Sequence, residues 1–227
     1  MTVLEGVTQN VNRNSLMFEE IRRHIRVGAS ECDLQRYMGE IFSRQNQKEC
    51  RFEGDIVSGE RTASVEGTAT DRLLKQGDVI ILDIQIFSGG YAADTTRTFF
   101  LGEPTEEMKV MYKRLCEAME QTERVLKHGT LACDVYKKMA DCLCSYGHNT
   151  SFPHHAGHAL SKLPFEQPQL VAECNIPLEK GMIIALEPGL YNDDFGMRIE
   201  NNYLITDDGC EKIGSFTTDI NYFIIKE

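Results

Sequence analysis

Two pairs of carboxylates recur at matching places in the two halves of this 227-residue chain, Asp83 with Asp94 and Glu187 with Glu200. Asp83 closes the apolar run Val79-Ile80-Ile81-Leu82, and Glu187 closes Met182-Ile183-Ile184-Ala185-Leu186. Each run opens just after a glycine, and both the glycines (77 to 181) and the acids (83 to 187) stand 104 positions apart. Asp94 and Glu200 stand 106 apart, a slip of two that a hairpin loop of different length absorbs. Four carboxylates gathered inside a protein repel one another and lose their hydration, a cost that only cationic charge offsets. The spacing therefore points to a shared site for two divalent ions.

His158, in the local cluster with His154 and His155, adds one imidazole to the four oxygen donors. Such a set suits manganese, with cobalt, iron or zinc as alternatives, and argues against copper or an iron–sulfur cluster. Paired ions roughly 3.5–4 Å apart would hold a bridging water, lower its pKa to near 7 and polarise a carbonyl, so hydrolysis is the expected chemistry.

The elements that must position these residues are also duplicated. Gly28, Cys32, Asp33 and Met38 recur as Gly129, Cys133, Asp134 and Met139, all at an offset of 101. A period near half the chain implies two related halves about a pseudo-two-fold axis. Apolar spacing predicts a helix over 15–26 through Leu16, Phe18, Ile21 and Ile25, and a second helix behind a Ser30–Asp33 cap. A strand is expected at 52–58, then a polar loop through Asp71 that borders a pocket. Strands at 78–87 and 91–101 flank Ser88-Gly89-Gly90, a hairpin that would set Asp83 across from Asp94. Helices are expected over 105–127 and 132–146, and strands over 182–187, 197–206 and 214–225. The fold class that follows is α+β, with helices covering one face of antiparallel strands in one domain, 1–227.

A formal charge of −11 and a pI near 5.1 argue against nucleic acid or an anionic membrane as partner. No basic start followed by an apolar stretch reads as a secretory signal and no run approaches membrane-spanning length, so a cytoplasmic protein is expected. The eight cysteines lack a CxxC pair and are expected to be reduced core thiols.

The segments LDIQIFSGGYAADTTRTF, PHHAGHAL, ALEPGLY and GMRIENNYLIT together resemble the pita-bread metallohydrolases, the family of methionine aminopeptidase, Xaa-Pro aminopeptidase and prolidase. The resemblance covers nearly the whole chain. It implies the pita-bread fold, a small peptide or amide substrate, Asp83, Asp94, His158, Glu187 and Glu200 as metal ligands, and Glu187 as the group handling the water proton. The Asp94-Thr95-Thr96-Arg97-Thr98 segment and Arg198 resemble the Xaa-Pro branch, as do His154 as a substrate-side histidine and Tyr191. Two positions depart from the family pattern: Phe165 and Glu66 stand where histidines are usual. Phe165 would give an apolar wall and Glu66 would recognise a cationic group, or His154 or His155 would supply the missing donor. A non-peptide amide hydrolase and a silent metal-binding module are the competing readings. Xaa-Pro enzymes commonly carry an additional N-terminal domain, which this chain is expected to lack. The cleft would then be more open or closed by a neighbouring subunit, so a homodimer is the expected assembly.

Overall fold

A computed structural model describes residues 1–44, 51–144 and 150–226. Helix α1 (Val3–Ile21) starts at a capping box in which Thr2 Oγ1 accepts from the Glu5 N–H and the Glu5 carboxylate accepts from the Thr2 N–H. It therefore begins well before the helix expected at 15–26 and ends short of it. The polar residues Asn10 and Asn14 hid the first turns. Both are buried, because Asn10 Nδ2 donates to the carbonyls of Ser88 and Tyr91 at 3.2 and 2.8 Å, and Asn14 Nδ2 donates to that of Ile84 at 3.0 Å. Leu16, assigned to the apolar face, is instead 50% exposed.

These amides tie α1 to the hairpin of β2 and β3, so Asn10→Ala is expected to cost about 1–3 kcal/mol by leaving buried acceptors unpaired. Chemical denaturation reads this as a lower midpoint at unchanged slope. An unshifted midpoint would mean the carbonyls find water.

Helix α2 (Glu31–Arg44) starts at the expected cap, with Ser30 and Asp33 exchanging side-chain to backbone bonds at 3.0 Å. Strand β1 (Arg51–Ser58) and the short helical turn Gly59–Ala63 precede β2 (Val79–Ser88) and β3 (Tyr91–Leu101). Helices α3 (Glu106–Glu123) and α4 (Ala132–Cys144) follow; the end of the helix expected to 146 lies outside the described residues. The second half then supplies β4 (Gly157–Ala159), β5 (Glu166–Gln169), β6 (Ile183–Leu186), β7 (Gly189–Tyr191), β8 (Gly196–Arg198), β9 (Asn201–Ile205) and β10 (Cys210–Ile213). A four-residue helix α5 (Ile220–Phe223) and β11 (Ile224–Ile225) occupy the region read as a closing strand over 214–225. That strand is interrupted because Gly214 turns at φ 79° and the Asp219 side chain caps α5 through the Asn221 N–H.

The strands form a sheet of order β1-β2-β3-β11, a sheet of order β10-β9-β6-β4-β5, and the small pair β7-β8. All pair antiparallel except β11, which lies parallel to β3. The two halves repeat each other in backbone detail. Gly28 and Gly129 both hold left-handed φ (82° and 86°), and their N–H groups bond Leu74 O and Leu178 O at 2.9 and 2.8 Å. Only glycine adopts that region at no steric cost. The apolar sides of α1 to α4 and of both sheets merge into one continuous core. The seven described cysteines sit at its margins, six half-buried and Cys144 exposed, rather than inside it. Among the described residues no helix is long and apolar enough to cross a membrane.

Candidate metal centre

The hairpin turn fixes the register of the first carboxylate pair. With Ser88 opposite Tyr91, Asp83 pairs with Thr96 and Asp94 pairs with Gln85. The two acids are thus diagonal neighbours rather than directly opposed; diagonal positions share a face and remain within side-chain reach. What does lie directly across from Asp83 is Asp55 on β1. The strand expected over 197–206 is broken into β8 and β9, and Glu200 sits in the break, while Glu187 lies just past the end of β6.

Asp83, Asp94, His158, Glu187 and Glu200 line one cavity of about 230 Å³, together with Asp55, Glu66, His154, His155, Phe165 and Arg198. His158 Nδ1 lies 3.1 Å from the Ala159 carbonyl, which can only accept, so the proton sits there and the Nε2 lone pair is free. That nitrogen lies 3.7 Å from Asp94 Oδ2, 3.6 Å from Glu187 Oε1 and 4.0 Å from Glu200 Oε1. Asp94 Oδ1 and Glu200 Oε1 are buried and have no hydrogen-bond partner among the described residues. Burial and then the charges of Asp83 and Glu187 push the Asp94 carboxyl well above the usual range; burial and then Asp94, Asp83 and Glu187 do the same to Glu200. Burial acts to raise Glu187 as well, but the neighbouring His155 imidazole outweighs it and holds the group low.

These residues fit a cation. Ligand bonds near 2.0–2.2 Å place neighbouring donors roughly 3–4 Å apart, and the separations of 3.6–4.0 Å around His158 Nε2 are too long for hydrogen bonds and suit a shared ion. Asp94, His158 and Glu200 offer one ligand atom each within 4.8 Å of one another, and so do His154, His155 and Glu187. The buried carboxylate oxygens left without donors are what an ion would satisfy.

A layer of polar residues holds the carboxylates in place. Thr96 Oγ1 donates to Glu200 Oε2 at 2.9 Å, and Asn202 Nδ2 donates to the Asp94 carbonyl at 2.6 Å. The fully buried Arg97 donates to the carbonyls of Thr96 and Glu200 at 2.8 and 2.5 Å, which fastens β3 to the Glu200 segment. Arg198, 2% exposed, donates through Nε and Nη2 to Asp83 Oδ2 at 3.1 and 2.5 Å. Its Nη2 also reaches Asp55 Oδ2 at 3.4 Å, and its Nη1 donates to Val65 O at 2.8 Å and Tyr191 Oη at 2.6 Å. All five guanidinium N–H groups are engaged within the protein.

Tyr191 in turn lies 3.2 Å from His154 Nε2, and His154 Nδ1 lies 2.7 Å from the His155 carbonyl. The carbonyl can only accept, so Nδ1 carries the proton and Nε2 accepts from the tyrosine hydroxyl. Burial pushes His154 down to about 4, so its ring is neutral at neutral pH. His155 Nδ1 lies 3.0 Å from Glu187 Oε1, within ion-pairing distance but not aligned for a hydrogen bond. Phe165 packs over both rings, 5.2 Å from that of His155 and 4.6 Å from that of His158, and stays 40% exposed. Glu66 is exposed at the cavity edge.

The sequence reading missed Asp55, Thr96, Arg97 and Asn202 as parts of this site. A detectable signal existed in Thr95-Thr96-Arg97-Thr98, a polar run inside a strand that is buried along nearly its whole length. Asp55 carried none, since its importance comes from register.

Duplicated half-sheets under helices thus bring acidic residues from both halves to one cavity. The model of metallopeptidase family M24 matches residues 5–207, and the chain belongs to that family. It is 29% identical over 189 residues to an uncharacterized peptidase of Staphylococcus aureus (strain USA300), covering 83% of this chain and 54% of the relative. It is 31% identical over 163 residues to a Xaa-Pro dipeptidase of Pyrococcus furiosus, covering 71% of this chain and 47% of the relative. The solved Xaa-Pro dipeptidase from Bacillus anthracis superposes with a TM-score of 0.91 at 28% identity, over 97% of this chain and 62% of that one. The pita-bread expectation is therefore met. The chain spans about half the length of the curated relatives it matches.

Proposed function

We propose that this chain is a dinuclear metal-dependent peptidase of the Xaa-Pro type, cleaving a small amide. The observation that supports this best is the set Asp94, His158 and Glu200, in which Asp94 Oδ1 and Glu200 Oε1 lack donors among the described residues and one ligand atom of each lies within 4.8 Å of the others. Asp83 and Glu187 complete the ligand set carried over from the family; Arg198 engages only Oδ2 of Asp83, so Oδ1 is not drawn into that ion pair. Divalent ions there, manganese first, would polarise the scissile carbonyl and supply hydroxide at neutral pH.

The protein's own groups divide the remaining work. Glu187 Oε1, kept ionised by the neighbouring imidazoles, takes and returns a proton at the reacting centre. His155 stands beside that oxygen and stabilises its ionised form. His154 and Tyr191 serve first as a brace: the bonds from Arg198 to Tyr191 and from Tyr191 to His154 fix both rings along the cavity wall. Phe165 excludes water over His158. A cavity of about 230 Å³ is smaller than the roughly 300–1,000 Å³ of drug-sized sites, which suits a dipeptide or another small amide.

Xaa-Pro dipeptides incubated with manganese-supplemented protein are expected to yield free proline, and chelator-treated protein to yield none. Absence of turnover with every Xaa-Pro peptide, alongside tight metal binding measured by calorimetry, would discard the peptidase reading in favour of a non-peptide amide.

A further inference from the structure

We infer that Glu66 reads an ammonium group on the substrate, so that this site prefers small amides carrying a cation near the scissile bond. The inference rests on the amide-hydrolysing reading above and deepens it. The distribution of charge in the cavity singles this residue out. Among the described residues six carboxylates line it, Asp55, Glu66, Asp83, Asp94, Glu187 and Glu200, against a single guanidinium, Arg198. Arg198 spends its donors on Asp83, Asp55, Val65 and Tyr191. Asp94 and Glu200 belong to the ion-binding group, and Glu187 has His155 beside it. Glu66 is the carboxylate left over: among the described residues it has no hydrogen bond and no ion pair.

Its place is held by the site itself, unlike that of an ordinary loop glutamate. The carbonyl of Val65 accepts from Arg198 Nη1 at 2.8 Å, and the Gly67 N–H donates to Asp55 Oδ1 at 3.0 Å. Both flanking peptides are thus tied to the same Arg198–Asp55 pair that braces Asp83. The Gly67 carbonyl accepts from the Ile56 N–H at 3.1 Å, and the Val65 side chain packs against Val57, Ile81 and Tyr191. Further out, buried Glu31 anchors the loop by accepting from Thr70 N and Oγ1 at 3.0 and 2.7 Å and by pairing with Arg61. A carboxylate presented at the mouth of a small cavity from a backbone fixed on both sides is pre-organised for a cation, and a charge-assisted bond there costs little ordering.

The ammonium can come from a side chain or from the amino terminus, and three probes separate these: lysyl-proline, norleucyl-proline and N-acetyl-norleucyl-proline. With the manganese-loaded enzyme, Glu66→Gln is expected to lower kcat/KM about tenfold for lysyl-proline alone if the side chain is read. If the amino terminus is read, lysyl-proline and norleucyl-proline both lose about tenfold while the acetylated probe is unaffected. Glu66→Lys should deepen either loss. If nothing is turned over, calorimetric dissociation constants for the same probes carry the comparison, so failed hydrolysis defeats the peptidase reading and leaves Glu66 still testable. Equal effects of Glu66→Gln on all three probes, no effect on any, or no binding of any probe overturns the inference.

Discussion

Glu200→Gln is expected to abolish metal-dependent turnover, by at least roughly 10³-fold, while raising the melting temperature of chelator-treated protein. The two effects share one cause. Glu200 is buried against Asp94, Asp83 and Glu187, and burial together with those charges raises its pKa. An amide removes the charge yet keeps the hydrogen bond from Thr96, because its carbonyl oxygen still accepts. Its new N–H groups also offer a donor to the unpartnered Asp94 Oδ1. Relief of buried like-charge repulsion is worth on the order of 1–3 kcal/mol, and each kcal/mol moves the midpoint of a chain this long by about 2–4 °C. Divalent ions should stabilise the native protein and barely affect the variant, since one ligand is gone. A variant that melts lower than the parent under chelation would show that Glu200 is not held against repulsion.

The pH dependence of the same protein follows with its sign. Asp94 and Glu200 have folded-state pKa values above their ordinary ones of 3.8 and 4.5. A raised carboxyl favours the folded state while protonated, so its contribution is fully present below the unfolded value. That contribution is lost as pH rises from about 4 through the folded value. Chelator-treated protein should therefore lose stability as pH rises through this window, with Glu187 opposing the trend because its pKa is held low. Saturating manganese should flatten the slope. Thermal melts from pH 4 to 8, with and without the ion, read this directly; parallel curves would refute it.

Much of this centre was legible because the chain states it twice. The matched glycines and the acids at the ends of the apolar runs located Asp83 and Glu187, and the closely similar φ at Gly28 and Gly129 reflects the duplication those offsets implied. What the sequence hid was polar chemistry placed by tertiary contact. Asn10 and Asn14 looked like interruptions of a helix, since a stripe pattern cannot reveal that a buried amide will meet Ser88, Tyr91 and Ile84. The opposition of Asp83 and Asp94 was misread by two residues because both positions point to the same face, and only the two-glycine turn decides between them. Arg97 offered its charge but no partner in sequence, because it bonds carbonyls contributed by both halves. Asp55 could be recognised only through strand register, which sets it against Asp83 and so creates the need for a cation between them.

That cation is Arg198, and its removal is the most damaging single change expected outside the ligands. Like charges directly opposed on antiparallel strands destabilise a sheet, and here Arg198 Nη2 sits 2.5 Å from Asp83 Oδ2 and 3.4 Å from Asp55 Oδ2. Arg198→Met keeps the volume but strips both carboxylates of their cation and the Val65 carbonyl of its donor, leaving Asp55 with only the Gly67 N–H and Tyr191 with only His154, so a loss of about 3–5 kcal/mol is expected. Metal affinity should fall as well, because Asp83 loses the two bonds that orient it. Arg198→Lys keeps the charge, but three donors cannot replace five, so it should fall between the two. The double variant Asp55→Asn with Arg198→Met should recover part of the loss, since one of the two opposed charges is gone. Strictly additive losses in that cycle would mean Arg198 acts through packing alone. A coupling of about 1 kcal/mol or more would assign it to the charge that Arg198 places between Asp55 on β1 and Asp83 on β2.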